Sequence, residues 1–139
     1  MRYWIRDKEK SSHGPPLQKL LHRMRAVLRE AAGHAGPAYQ LTVSKARGQG
    51  ARVDGLEGQL ARQRHVPVTF EQLDDLSRSS EDWLSELEVE CSGPAVGLRF
   101  GLYDGAALYV DAPRDITVAI VKPFKDIHPD PGWLGQRRP

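Results

Sequence analysis

Between Trp83 and Asp111 apolar and polar residues alternate in three runs, and that period of two constrains the fold more than any other feature of the chain. In DWLSELEVEC, Trp83, Leu87, Val89 and Cys91 fall on one face, Glu86, Glu88 and Glu90 on the other, and Leu84 is out of phase. In AVGLRFGLY, Val96, Leu98, Phe100 and Leu102 share a face opposite Gly97, Arg99, Gly101 and Tyr103. Ser92-Gly93-Pro94 supplies a turn between the two runs. Asp104-Gly105 marks a tight hairpin, because both residue types tolerate positive φ, and Ala106 to Asp111 is the return strand. Three half-buried strands joined by short turns predict an antiparallel meander with one face against a core. The β-branched run ITVAIV predicts a further strand. A helix over residues 113–122 is the alternative, because Pro113 suits a first helical turn.

The N-terminal half supplies the layer that covers such a sheet. Leu17, Leu20, Leu21, Met24, Val27, Leu28 and Ala31 recur at spacings of three and four, which predicts an amphipathic helix over about residues 17–32. Pro15 and Pro16 suit its start and Gly33 its stop. The run AYQLTVSKA predicts a strand, and the four glycines between Arg47 and Gly58 predict a flexible loop, with a short helix over Leu56 to Arg64. Val66-Pro67-Val68 is extended. Thr69 then caps a helix over Phe70 to Arg78, with Gln72 at the capping-box position. The expected fold class is α+β: an N-terminal amphipathic helix and a short second helix packed on an antiparallel β-meander. Residues 1–16 are expected to be an arm in which Tyr3, Trp4 and Ile5 add a short edge strand. Residues 17–127 are one α+β domain, and 128–139 an irregular Pro-rich tail.

A chain of 139 residues can bury a core without metal or disulfide. Its single cysteine, Cys91, forms no internal bridge, and the charged start lacks the apolar segment of a signal peptide, so a cytoplasmic location is expected. No apolar run reaches the length of a membrane span. Cys91 is in phase with Trp83, Leu87 and Val89, which predicts a small buried hydrophobe rather than a nucleophile. The five histidines stand at no metal-ligand spacing. Asp104, Asp111 and Asp115 read as turn residues, and Gly48-Gln49-Gly50 lacks the Gly-Lys-Ser/Thr of a phosphate loop. No catalytic, metal or cofactor site is therefore expected, and the chain reads as non-enzymatic.

Charge is the remaining signal. The net value is +2, but residues 1–65 hold 13 Lys/Arg against 5 Asp/Glu, and residues 66–139 hold 7 against 13. Asp74, Asp75, Glu81, Asp82, Glu86, Glu88 and Glu90 predict an acidic surface that meets a basic partner protein. Three like charges on one strand face repel unless cations oppose them. The alternative is a nucleic-acid-binding accessory protein, in which Lys19, Arg23, Arg25 and Arg29 grip phosphates, although no aromatic series is interleaved with them. In its size, its α+β pattern and its lack of catalytic motifs the chain is similar to small bacterial immunity proteins, which bind and block a cognate toxin. That resemblance is one of class and transfers no residue. It implies an inhibitor that neutralises a toxin-like partner.

Overall fold

The structure, a computed structural model, describes residues 1–6, 14–32, 39–93, 97–105 and 107–129. The strands among them are β1 (Arg2–Ile5), β2 (Gln40–Gln49), β3 (Val66–Val68), β4 (Trp83–Ser92), β5 (Leu98–Tyr103), β6 (Ala107–Asp111) and β7 (Ile127–Pro129). They form one antiparallel sheet in the order β3-β2-β4-β5-β6-β1-β7. The helices are α1 (Pro15–Ala32), α2 (Ala51–Leu60), α3 (Phe70–Arg78) and α4 (Arg114–Val121). The class is α+β, with helices layered on an antiparallel sheet. The expectations for Gly33, Pro94, Val96, Ala106, most of the arm and most of the tail lie outside the described residues.

The apolar stripe of α1 makes this layering. Leu17, Leu20, Leu21, Met24, Val27 and Leu28 are all buried, while Ala31 at the end of the stripe is exposed. They join the inward residues of the strands, among them Val43, Leu87, Val89, Phe100, Leu102 and Val110, in one core cluster. Burying each such side chain contributes about 1.5–3 kcal/mol. Pro15 and Pro16 cost α1 nothing at its start, where their missing N–H groups have no partner inside the helix. At α3 the Thr69 hydroxyl accepts from the Gln72 N–H at 3.0 Å, and the Gln72 side chain accepts from the Thr69 N–H at 2.8 Å. Both edge strands are three residues long and carry a proline, Pro67 in β3 and Pro129 in β7. A proline lacks the donor that a further strand would need, so each guards its edge.

Three elements differ from expectation. Tyr3, Trp4 and Ile5 belong to an interior strand, not an edge: β1 lies between β6 and β7 and pairs with both. The Gly-rich stretch is not a loop, because β2 continues to Gln49 and α2 begins at Ala51. The ITVAIV run is helical, as α4, and not a strand. The sheet position beside β6 is taken by β1, and burial of Ile120 and Val121 in the core outweighs β-propensity. Arg23 Nε donates to the Ala119 carbonyl at 3.0 Å, and Lys19 Nζ to that of Pro123 at 3.0 Å, so α1 supplies donors to the end of α4.

Cys91 is buried in the core, and burial pushes its thiol up to about 11. We expect native-state thiol labelling to be slow and to accelerate only with denaturant. Cys91→Ser should cost about 1–3 kcal/mol in a denaturant melt. Gly58 lies inside α2 with open space where a Cβ would stand. Gly58→Ala should therefore raise stability by about 0.5–1 kcal/mol, read as a higher melting temperature.

Candidate functional site

The face of the sheet away from the helices carries an ordered array of side chains. Alternation places Arg2 and Trp4 of β1, Tyr109 and Asp111 of β6, Arg99 and Tyr103 of β5, Glu86, Glu88 and Glu90 of β4, and Lys45 and Arg47 of β2 on it. Register then opposes the charges. Glu90 stands opposite Arg99, Arg99 opposite Asp111, and Asp111 opposite Arg2. Arg99 meets Glu90 at 2.9 Å and Arg2 meets Asp111 at 3.4 Å. Glu86 holds Lys45 at 3.1 Å and Arg47 at 3.6 Å. Its Oε2 is sealed from solvent and makes no hydrogen bond, so these two charges are what balances it. The three glutamates do share one face, as expected. However, their repulsion is relieved inside the sheet by cations of β2 and β5, so it does not by itself call for a basic partner.

The remaining predicted acidic residues do not join them. Asp74 and Asp75 lie on α3, across the sheet from the glutamate face. Asp74 accepts from Arg78 Nε at 2.9 Å, and Asp75 lines a cleft of about 420 Å³ between α2, β3 and α3. Glu81 is exposed in the connection to β4. Asp82 is buried and occupied: its Oδ1 accepts from the N–H groups of Arg52 at 3.0 Å and Val53 at 3.2 Å, and its Oδ2 from the Ser79 hydroxyl at 2.8 Å. It is a cap for α2 delivered from another element. Burial pushes its carboxyl up, but the bonds from Ser79, Val53 and Arg52 and the charge of Arg52 outweigh that and hold it below its ordinary value. Three of the four basic residues are likewise committed. Lys19 and Arg23 bind α4, and Arg25 meets Glu71 at 3.2 Å and lies over the Phe70 ring. Arg29 is exposed.

Periodicity alone misplaces Trp83, which is 44% exposed and not buried with Leu87 and Val89. The cause is a bulge: Arg47 pairs with Glu86 but Gly48 with Leu84, so Ser85 is an extra residue on β4. Leu84 thereby takes the core position, fully buried, and Trp83 turns to the glutamate face. The out-of-phase Leu84 was the signal for this in the sequence. The Ser85 carbonyl accepts from the Gly105 N–H at 2.7 Å, and its hydroxyl donates to the Arg47 carbonyl at 3.2 Å, so the bulge is satisfied on both sides. Asp104 and Gly105 both have positive φ, as the hairpin requires. The Trp83 ring rests on Gly105, where an added Cβ would stand 3.3 Å from its Cζ2. Tyr103, 48% exposed, meets the Trp4 ring at 6.0 Å between centroids, and Trp4 meets Tyr109 at 5.3 Å, but Trp4 and Tyr109 are buried in a small cluster with Ala107. Arg2 lies over the rings of Trp4 and Tyr109. Tyr109 crosses Gly101, whose missing side chain leaves it room, and burial together with Glu88 pushes its hydroxyl up to about 12.

Among the described residues no three His, Cys, Asp or Glu side chains are grouped to hold a metal, and no helix is long and apolar enough to cross a membrane.

Asp82→Asn should lower stability by about 1–2 kcal/mol at neutral pH. The native carboxyl is depressed, so its contribution is full above the unfolded-chain value near 4 and is lost as pH falls through the lower folded value. Melting curves of the two proteins should accordingly converge below about pH 4. Comparison with known protein families, with curated proteins and with solved structures finds no match to this chain.

Proposed function

We propose that this chain is a non-enzymatic protein-binding module whose partner docks around Trp83 and Tyr103 on the face of the sheet opposite the described helices, with Trp83 as anchor. One observation carries the reading: a satisfied β-bulge turns a tryptophan out of the core and holds it, half exposed, against Gly105. Tryptophan, tyrosine and arginine are the residues that dominate binding energy at protein interfaces, and this face presents Trp83, Tyr103, Arg47 and Arg99 together. A ring already fixed in place loses little freedom on binding. In its narrower form the module is an inhibitor of the immunity type, in keeping with the class that the sequence resembles, and we place it in the cytoplasm on account of its lone reduced cysteine.

Nucleic acid fits this face less well. Glu86, Glu88, Glu90 and Asp111 are interleaved with its cations and would repel phosphates, while Lys19, Arg23 and Arg25 are held by α3 and α4.

Photo-crosslinking in the cell that makes the protein tests the proposal. A photoreactive phenylalanine analogue in place of Tyr103 should give one discrete protein adduct, and the same analogue at Val118, exposed on α4, should not. Trp83→Ala should weaken binding by about 2 kcal/mol, roughly thirtyfold, and remove the adduct while the protein still melts cooperatively as a folded domain. No adduct at Tyr103, or an adduct that persists at full yield in the Trp83→Ala protein, would sink the reading.

A further inference from the structure

The charges around Glu86, on the face opposite the described helices, are layered. The side chains of Arg47 and Lys45 are 70% and 46% exposed, whereas Glu86, which both of them hold, is 23% exposed. The carboxylate lies low against the sheet and the two cations stand over it. Arg47 Nε lies 3.6 Å from Glu86 Oε2, which it shares with Lys45 at 3.1 Å. A guanidinium carries five N–H donors in a planar fork, and at 70% exposure that of Arg47 is accessible to a further acceptor. Such a fork can bind a carboxylate by two parallel hydrogen bonds.

Its position relative to Trp83 adds a length. Arg47 pairs with Glu86 and Gln49 with Trp83, so Arg47 and Trp83 stand on neighbouring strands, about 5 Å apart across the sheet and, along the strand direction, offset by two residues or about 7 Å. That is also the spacing of residues i and i+2 on one side of an extended chain. Resting on the reading of this face as protein-binding, we propose that the segment it accepts is an extended, acidic one. An aspartate or glutamate takes Arg47 with Lys45 beside it, and an aromatic or large apolar residue two positions away lies on Trp83 and Tyr103. A single carboxylate suits the site better than a polyanion. The column of Glu86, Glu88 and Glu90 beside it opposes closely spaced negative charges such as successive phosphates.

The test uses the whole protein and a displayed library of random heptapeptides, with Trp83→Ala, Arg47→Gln and Lys45→Gln as comparisons. Lys45→Gln leaves the Arg47–Glu86 contact in place and serves if Arg47→Gln melts lower. The expected result is enrichment of sequences with Asp or Glu two residues from an aromatic or large apolar residue. A peptide of that pattern should bind either charge variant about tenfold more weakly, and the Trp83→Ala protein more weakly still. Trp83-dependent enrichment of basic or uncharged peptides would overturn the acidic segment while leaving the face protein-binding. Lack of any enrichment over the Trp83→Ala protein would also overturn it, and the crosslinking result then decides separately whether the face binds protein. A parallel titration with single-stranded RNA twelve nucleotides long covers the remaining ligand. Binding at physiological salt that falls in both the Trp83 and Arg47 variants would assign the face to nucleic acid and reject the proposal.

Discussion

The sealing of one face of β4 by the helices is the constraint from which most of this structure follows. Leu84 and Leu87 are both buried although they are three residues apart, a spacing that a regular strand cannot put on one face. One extra residue between them, Ser85, resolves the conflict. From that follow the outward turn of Trp83, the contact of its ring with Gly105 and the docking of the Asp104-Gly105 turn on the bulge. One residue earlier, Asp82 meets the N-terminus of α2 and satisfies two of its orphan donors. A cap taken from a distant element ties the position of α2 to the start of β4.

Electrostatics here is mostly internal. The basic N-terminal half and the acidic C-terminal half meet across the sheet and between the helices. Glutamates of β4 face lysine and arginines of β2 and β5, Arg25 of α1 faces Glu71 of α3, and Lys19 and Arg23 take carbonyls at the end of α4. Exposed pairs of this kind add little stability each, but opposite charges in register cost less than like ones and so help to choose the pairing. The uneven distribution of charge along the chain is thus a pairing code within the fold before it is a property of any partner.

Periodicity carried the fold a long way. The stripe from Leu17 to Leu28, the capping box at Thr69 and Gln72, the Asp104-Gly105 turn, the burial of Cys91 and the grouping of Glu86, Glu88 and Glu90 on one face were all legible, because each depends on residues near in sequence. The candidate site was much less so. Glu86, Glu88 and Glu90 are part of it, but Trp83, Tyr103, Lys45, Arg47 and Arg99 come together through pairing of β2 with β4 and β4 with β5. No local pattern specifies which strand lies next to which.

What the sequence determined by itself, then, is the set of local elements that have a strong period or a cap, and the α+β class they add up to. Tertiary structure decided the rest. It placed β1 inside the sheet, made α4 from a β-branched run and α2 from a Gly-rich one, and buried Asp82 under α2. It also turned Trp83 to the face opposite the described helices. The physical reason is the same in each case. Local propensities differ by about 1 kcal/mol or less per residue, whereas filling a core position or satisfying a buried helix end is worth more, so packing overrides preference wherever the two disagree.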